Sequence, residues 1–241
     1  MTRQGRASEV DLDPQGDWQL VTDGAQIEVV HTRALPGFMP ATPGDVWEYC
    51  STQPGTPAMH SCDRVLAARR EDGLWIARLR SEIREHPAAL CERDLVLAPA
   101  GVLPDIGTMT SGSGPVHTLT TSGLYLPSVL PIGLRWRWTQ QLEMTMATME
   151  VMGTAEVMAI ERVTVPAGSF EAVRVHAEVV THMDLRAPAG AGPIESVQLD
   201  ISHWVRGLGL VRSSGLGPPD QRRDKMLVAY NVRGAPRACE A

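Results

Sequence analysis

From residue 134 the chain alternates. Leu134, Trp136, Trp138, Leu142, Met144 and Met146 hold one parity, and Arg135, Arg137, Thr139, Gln141, Glu143 and Thr145 hold the other. A helix would scatter these apolar side chains around its surface, whereas a strand gathers them on one face. The pattern therefore predicts a strand with a dry and a wet side. Residues 170–185 repeat it, setting Val173, Val175, Ala177, Val179 and Met183 against Arg174, His176, Glu178, His182 and Asp184. Residues 74–84 do so once more, with Trp75, Ala77 and Leu79 alternating with Arg78 and Arg80. Shorter strands are expected at 18–21, 26–31, 46–50, 63–69, 90–98, 155–165, 194–205 and 226–232.

Punctuation between these runs is supplied by glycine and proline. Val165-Pro166-Ala167-Gly168 reads as a hairpin turn, because proline presets φ at the first turn position and glycine accepts a positive φ. Glu71-Asp72-Gly73 reads as another. Gly153 marks a bulge or a turn. Residues 99–114, rich in Gly, Pro, Ser and Thr, read as a surface loop or a lid over a cavity. One short helix is expected within 81–90, interrupted at Pro87. The sum is an all-β protein with minor α content and an antiparallel sheet. Residues 1–15 read as a disordered N-terminal segment, 16–236 as one β domain and 237–241 as a tail.

Composition narrows the function classes. At 241 residues the chain is long enough to bury a sizeable core. A formal net charge of -6 argues against a nucleic-acid partner. No apolar run approaches the roughly 18–20 residues of a membrane span. The first residues carry charge with no apolar stretch behind them, which is not a signal peptide as written, so the expected location is cytoplasmic. A removed leader or a misplaced start would instead place the protein in the envelope or periplasm. Lys225 is the single lysine among 22 basic residues. Cys50 and Cys62 flank a turn-rich insert and could close a hairpin as a disulfide, or stay reduced; Cys91 and Cys239 complete the set. The cysteines show no zinc-ligand spacing, and no nucleotide or hydrolase motif is present. No metal and no cofactor are expected.

A second signal lies in the C-terminal half. Val163-Thr164-Val165-Pro166-Ala167-Gly168-Ser169-Phe170 is followed by His203-Trp204-Val205-Arg206-Gly207-Leu208-Gly209-Leu210 and by Leu227-Val228-Ala229-Tyr230. Upstream stands Pro43-Gly44-Asp45-Val46-Trp47-Glu48-Tyr49. Together these resemble bacterial TapB-like proteins and related envelope families of unknown function. Those are similar in turn to the LolA/LolB lipoprotein-carrier fold. The resemblance implies a single strongly curved sheet, a half-barrel with an apolar concave face.

Two sets of residues carry candidate chemistry. His176, Glu178, His182 and Asp184 share one parity of one strand and are weak candidates for acid–base work. Neighbours on that parity stand ~7 Å apart, so a site needs partners from another strand, and a solvated polar face is the competing reading. Arg135, Arg137 and Arg174 would form an anion patch if their strands paired. Trp136, Trp138, Met144 and Met146 are candidates for an apolar ligand, since methionine adapts to varied shapes, and a packed core is the alternative. The expected function is a non-enzymatic module holding an apolar small molecule or lipid in the concavity. The alternatives are a cofactor-free isomerase or cyclase, which needs His176, His182 or Asp184 inside the cavity, and a structural envelope protein with no pocket.

Overall fold

The computed structural model of the chain describes residues 21–22, 25–26, 37–71, 74–103, 108–111, 114–186, 193–216, 222–236 and 238. Two short strands, β1 (Val21–Thr22) and β2 (Ala25–Gln26), pair with each other. The others follow in chain order as β3 (Val46–Thr52), β4 (Met59–Glu71), β5 (Leu74–Ile83), β6 (His86–Ala98), β7 (Gly101–Val102), β8 (Thr108–Ser111) and β9 (Gly114–Gly123). They continue as β10 (Leu126–Pro127), β11 (Arg135–Met144), β12 (Ala147–Val165), β13 (Gly168–Leu185), β14 (Ile194–Val205), β15 (Gly209–Gly215) and β16 (Asp224–Asn231).

These fourteen strands form one antiparallel sheet in the order β10-β7-β6-β5-β4-β3-β16-β15-β14-β13-β12-β11-β9-β8. The sheet curls until β8 meets β6, at the pair Glu92↔Thr110 among the described residues, and it does not close into a barrel. Its concave side holds a core that includes Trp47, Leu79, Leu97, Trp136, Val157 and Leu227. Alternation explains the curl. Each long strand can bury only one parity, and rolling the sheet lets those buried faces meet one another.

The longest hairpin is joined by the expected turn, with Val165 opposite Gly168, whose φ is 131°. A bulge between Val157 and Ala159 takes up one residue of β12. On β12 Val157, Val163 and Val165 are buried, with Ala159 and Glu161 only half-buried between them, while on β13 the buried set passes from Val175 and Val173 to Ala172 and Phe170. The hairpin tip thus buries its other face. Phe170 meets Tyr230 edge-on, 6.0 Å between ring centroids, and Ala238 lies against Gly168.

Several expectations are corrected. Residues 81–90 contain no helix; they are the β5–β6 hairpin, and no helix occurs among the described residues. Its turn, Arg84-Glu85, is tied to β4: the Arg84 amide donates to the His60 carbonyl (2.8 Å) and Glu85 accepts from the His60 amide (2.9 Å). Within 99–114, the described residues include β7 and β8 rather than a plain loop. Gly153 is neither a turn nor a bulge but lies mid-strand, directly opposite Trp138. A Cβ there would fall 2.0 Å from the Trp138 ring, so glycine is required for the indole to lie flat on the backbone. Cys50 pairs with His60 and Cys62 with Glu48, a diagonal offset, and the two are not joined as a disulfide. The segment 1–15, the Glu71-Asp72-Gly73 turn beyond Glu71, and Cys239 lie outside the described residues.

Candidate functional site

The concave face encloses a cavity of about 330 Å3. Strand β3 supplies Trp47 and Tyr49 because its odd residues point inward. Their polar tips are satisfied across the interior: Trp47 Nε1 donates to the Leu208 carbonyl at 2.6 Å, and Tyr49 Oη donates to the Leu210 carbonyl at 3.0 Å. Trp138 from β11 and Tyr125 meet edge-on at 5.6 Å, forming another wall. Trp204, Leu95 and Leu126 add further apolar surface.

One part of the wall is charged. Asp63 on β4, Arg93 on β6 and Lys225 on β16 all line the cavity. The Lys225 ammonium sits 4.0 Å over the Tyr49 ring and 3.8 Å from Asp63 Oδ2. Burial pushes the Lys225 amine below its ordinary value, and the Asp63 charge opposes that shift. Burial, with Asp63 adding to it, holds the Tyr49 phenol well above 10.0.

The four ligand-binding candidates are spread apart. Trp138 lines the cavity. Trp136, only 2% exposed, is packed in the core and donates through Nε1 to the Tyr125 carbonyl (3.2 Å). Met144 ends β11 opposite Ala147, half-buried and away from the cavity. Met146 stands in the β11–β12 turn, 63% exposed, because the strand stops two residues before the alternation does.

The polar candidates face outward. His176, Glu178, His182 and Asp184 pair across β12 with Glu156, Thr154, Glu150 and Thr148, on the side opposite the core valines. None lines the cavity. His182 Nδ1 lies 3.3 Å from Glu195, while Asp184 is exposed. His176 and Glu178 instead border a groove of about 450 Å3 shared with Arg135, Arg137, Glu156 and Leu216. The arginines do not form a joint patch: β12 separates β11 from β13, Arg135 pairs with Glu156 (2.9 Å), and Arg174 pairs with Glu161 (3.0 Å). Among the described residues no three His, Cys, Asp or Glu side chains converge to hold a metal ion.

Sequence reasoning missed Tyr125, Trp204 and the Asp63–Arg93–Lys225 group. The parity of Trp47 and Tyr49 on β3 was a usable signal for two lining residues, and the lone lysine was a signal for a third.

The fold and cavity define a class: an all-β chain whose one antiparallel sheet curls around an interior space with aromatic walls and a charged margin. No protein-family model matches the sequence, and no curated protein matches it. Two solved structures are similar in fold. One is a protein of Bacteroides fragilis NCTC 9343, inferred to be exported and described as having a YmcC-like fold. Its TM-score is 0.55 and its identity 13%, over 80% of this chain and 98% of the other. The second is a protein of Parabacteroides distasonis ATCC 8503 inferred to be a lipoprotein, with a TM-score of 0.51 and 11% identity over 83% of this chain and 100% of the other. At these identities the likeness is one of fold alone. It does not reach the narrower resemblance to TapB-like or LolA/LolB proteins.

Proposed function

We propose that the chain is a non-enzymatic binding module that holds an apolar or lipid-like molecule in the concavity of its sheet. The observation that carries this reading is the cavity of about 330 Å3, walled by Trp47, Tyr49, Tyr125, Trp138 and Trp204. That volume falls within the range of small-molecule sites, which are concave, mostly apolar and provided with a few placed polar groups. Each methylene moved from water into such walls contributes ~0.8 kcal/mol. The cavity supports this reading over the alternative of a structural envelope protein with no pocket. The enzyme alternative needs His176, His182 or Asp184 inside the concavity; none of the three lines the cavity of about 330 Å3, and His176 borders the outer groove instead. Among the described residues no helix is long and apolar enough to cross a membrane.

The location that accompanies this reading is the cell envelope rather than the cytoplasm. Both structural neighbours support it, one inferred to be exported and the other to be a lipoprotein. The LolA/LolB resemblance enters here too, as a carrier-like use of a curved sheet.

The test is uptake of a neutral hydrophobic fluorophore, N-phenyl-1-naphthylamine, by the purified protein. Emission should rise and saturate at one probe per chain, and Trp138→Asp should abolish the rise while far-ultraviolet circular dichroism stays β-type. An unchanged emission with the native protein overturns the reading.

A further inference from the structure

We propose that the molecule in the cavity is uncharged and presents a carbonyl oxygen, of an ester or a ketone, to the indole N–H of Trp138; this rests on the reading that the cavity takes an apolar molecule. The first support comes from the indole donors. Among the described residues the buried tryptophans are Trp47, Trp136, Trp138 and Trp204. A buried indole N–H ordinarily finds an acceptor, because leaving it without one is costly. Three of them do so within the protein. Trp47 donates to the Leu208 carbonyl (2.6 Å), Trp136 to the Tyr125 carbonyl (3.2 Å) and Trp204 to Ser202 Oγ (2.9 Å). Trp138, whose side chain lines the cavity, has no acceptor among the described residues. An indole N–H donates and cannot accept, so the occupant that completes it brings an acceptor.

Rigidity is the second support. The Cε2–Cζ2 edge of Trp138 occupies the place a Gly153 Cβ would take, and Tyr125 stands edge-on to the ring at 5.6 Å. Nε1 is bonded to Cε2, so the donor is fixed together with that edge. A donor held in this way orients a ligand without a further loss of rotamer freedom. The third support is that the other polar groups of the wall are engaged. Tyr49 Oη donates to the Leu210 carbonyl (3.0 Å), and Gln140 Nε2 donates to Thr118 Oγ1 (3.4 Å). Lys225 is paired with Asp63, and Arg93 has partners of its own. A charged head would have to break into that group, and an ion is far more costly than a carbonyl to bring out of water. A carbonyl oxygen needs only the one N–H.

The experiment follows the indole N–H resonances of the native protein by nitrogen–proton correlation NMR, with the Trp138 signal assigned through its loss in Trp138→Phe. Saturating methyl decanoate should move the Trp138 proton downfield, as a new hydrogen bond does, while the Trp47, Trp136 and Trp204 signals keep their places. Decene shares the apolar chain and lacks the carbonyl, so it should displace N-phenyl-1-naphthylamine without that downfield move. Replacing Trp138 with benzothienylalanine keeps the fused rings and puts sulfur where the N–H stood. That isostere should bind methyl decanoate about two- to tenfold more weakly, the net worth of one neutral hydrogen bond, and decene as before. A Trp138 resonance that stays in place, or an isostere that binds methyl decanoate as tightly as the parent, overturns the inference and leaves the apolar reading standing. No fluorophore uptake at all overturns the apolar reading itself. Tighter binding of decanoate than of methyl decanoate overturns the uncharged assignment.

Discussion

At the level of single residues, the cavity depends on one glycine under one indole. Trp138 reaches the wall because Gly153 on the next strand has no side chain, and its ring occupies the place a Cβ would take. Trp138 is only 8% exposed and already stacked edge-on against Tyr125, so it has no free direction in which to yield. Gly153→Ala should therefore cost about 1–3 kcal/mol, the usual penalty for overpacking a core, read by urea denaturation. The displaced indole should also enter the cavity and weaken fluorophore uptake. A variant as stable as the parent, with uptake intact, would show that the indole does not rest on this strand. The same locality explains what could be read in advance. Alternation in residues 134–142 placed Trp138 correctly on the dry face, yet it could not separate wall from core, and Trp136 two residues earlier is simply core. Met146 carries the right parity but falls in a turn that has neither glycine nor proline to announce it.

Strands and hairpins repeat this division between what is local and what is not. The β12–β13 hairpin was legible because its turn chemistry and its period of two are both local. The β5–β6 hairpin was not, because its turn is held by His60 from a different strand. The Asp63–Arg93–Lys225 group was hidden for a related reason: its members come from β4, β6 and β16, and no spacing in the chain reveals which strands share a wall. At the crossing of β12, β13 and β14 a similar convergence gives a pH prediction. His203, 7% exposed, donates through Nε2 to Glu161 (2.9 Å), and Arg174 binds the other carboxylate oxygen (3.0 Å). The His203 hydrogen bond, followed by the charges of Arg174, His203 and His176, holds the Glu161 carboxyl below its ordinary 4.5. A lowered folded-state pKa contributes stability above the unfolded value, and that contribution is lost as pH falls through the folded one. Glu161→Gln should thus be less stable than the parent near neutrality, by an amount moderated by solvent because Glu161 is partly exposed. The gap should close well below pH 4.5, where the parent is protonated too. Urea midpoints across that range check it, and a gap independent of pH would assign the loss to packing instead.

For the whole molecule, the cavity belongs to both arms of the curled sheet. Leu79, Arg93 and Leu95 reach it from β5 and β6, while Trp138, Val151 and Val179 reach it from β11, β12 and β13. Those arms are linked through β4, β3, β16, β15 and β14, and they meet at the other edge where β8 pairs with β6. A molecule seated inside touches both at once, whereas one in the outer groove touches only the β11–β14 side and Leu216. This separates the two spaces experimentally. Any ligand that binds the native state alone stabilises it, by ~2.7 kcal/mol at a concentration of one hundred times Kd. For a chain of this size that raises Tm by roughly 5–10 °C. A rise in Tm therefore reports binding without locating it, and amide hydrogen exchange supplies the location. With decanol bound, protection should increase in β5 and β6 as well as in β11 to β13, because the opening of either arm now exposes the ligand. Protection confined to β11–β14 would place the molecule in the outer groove beside Arg137 and His176, and the concave cavity would lose its assigned role.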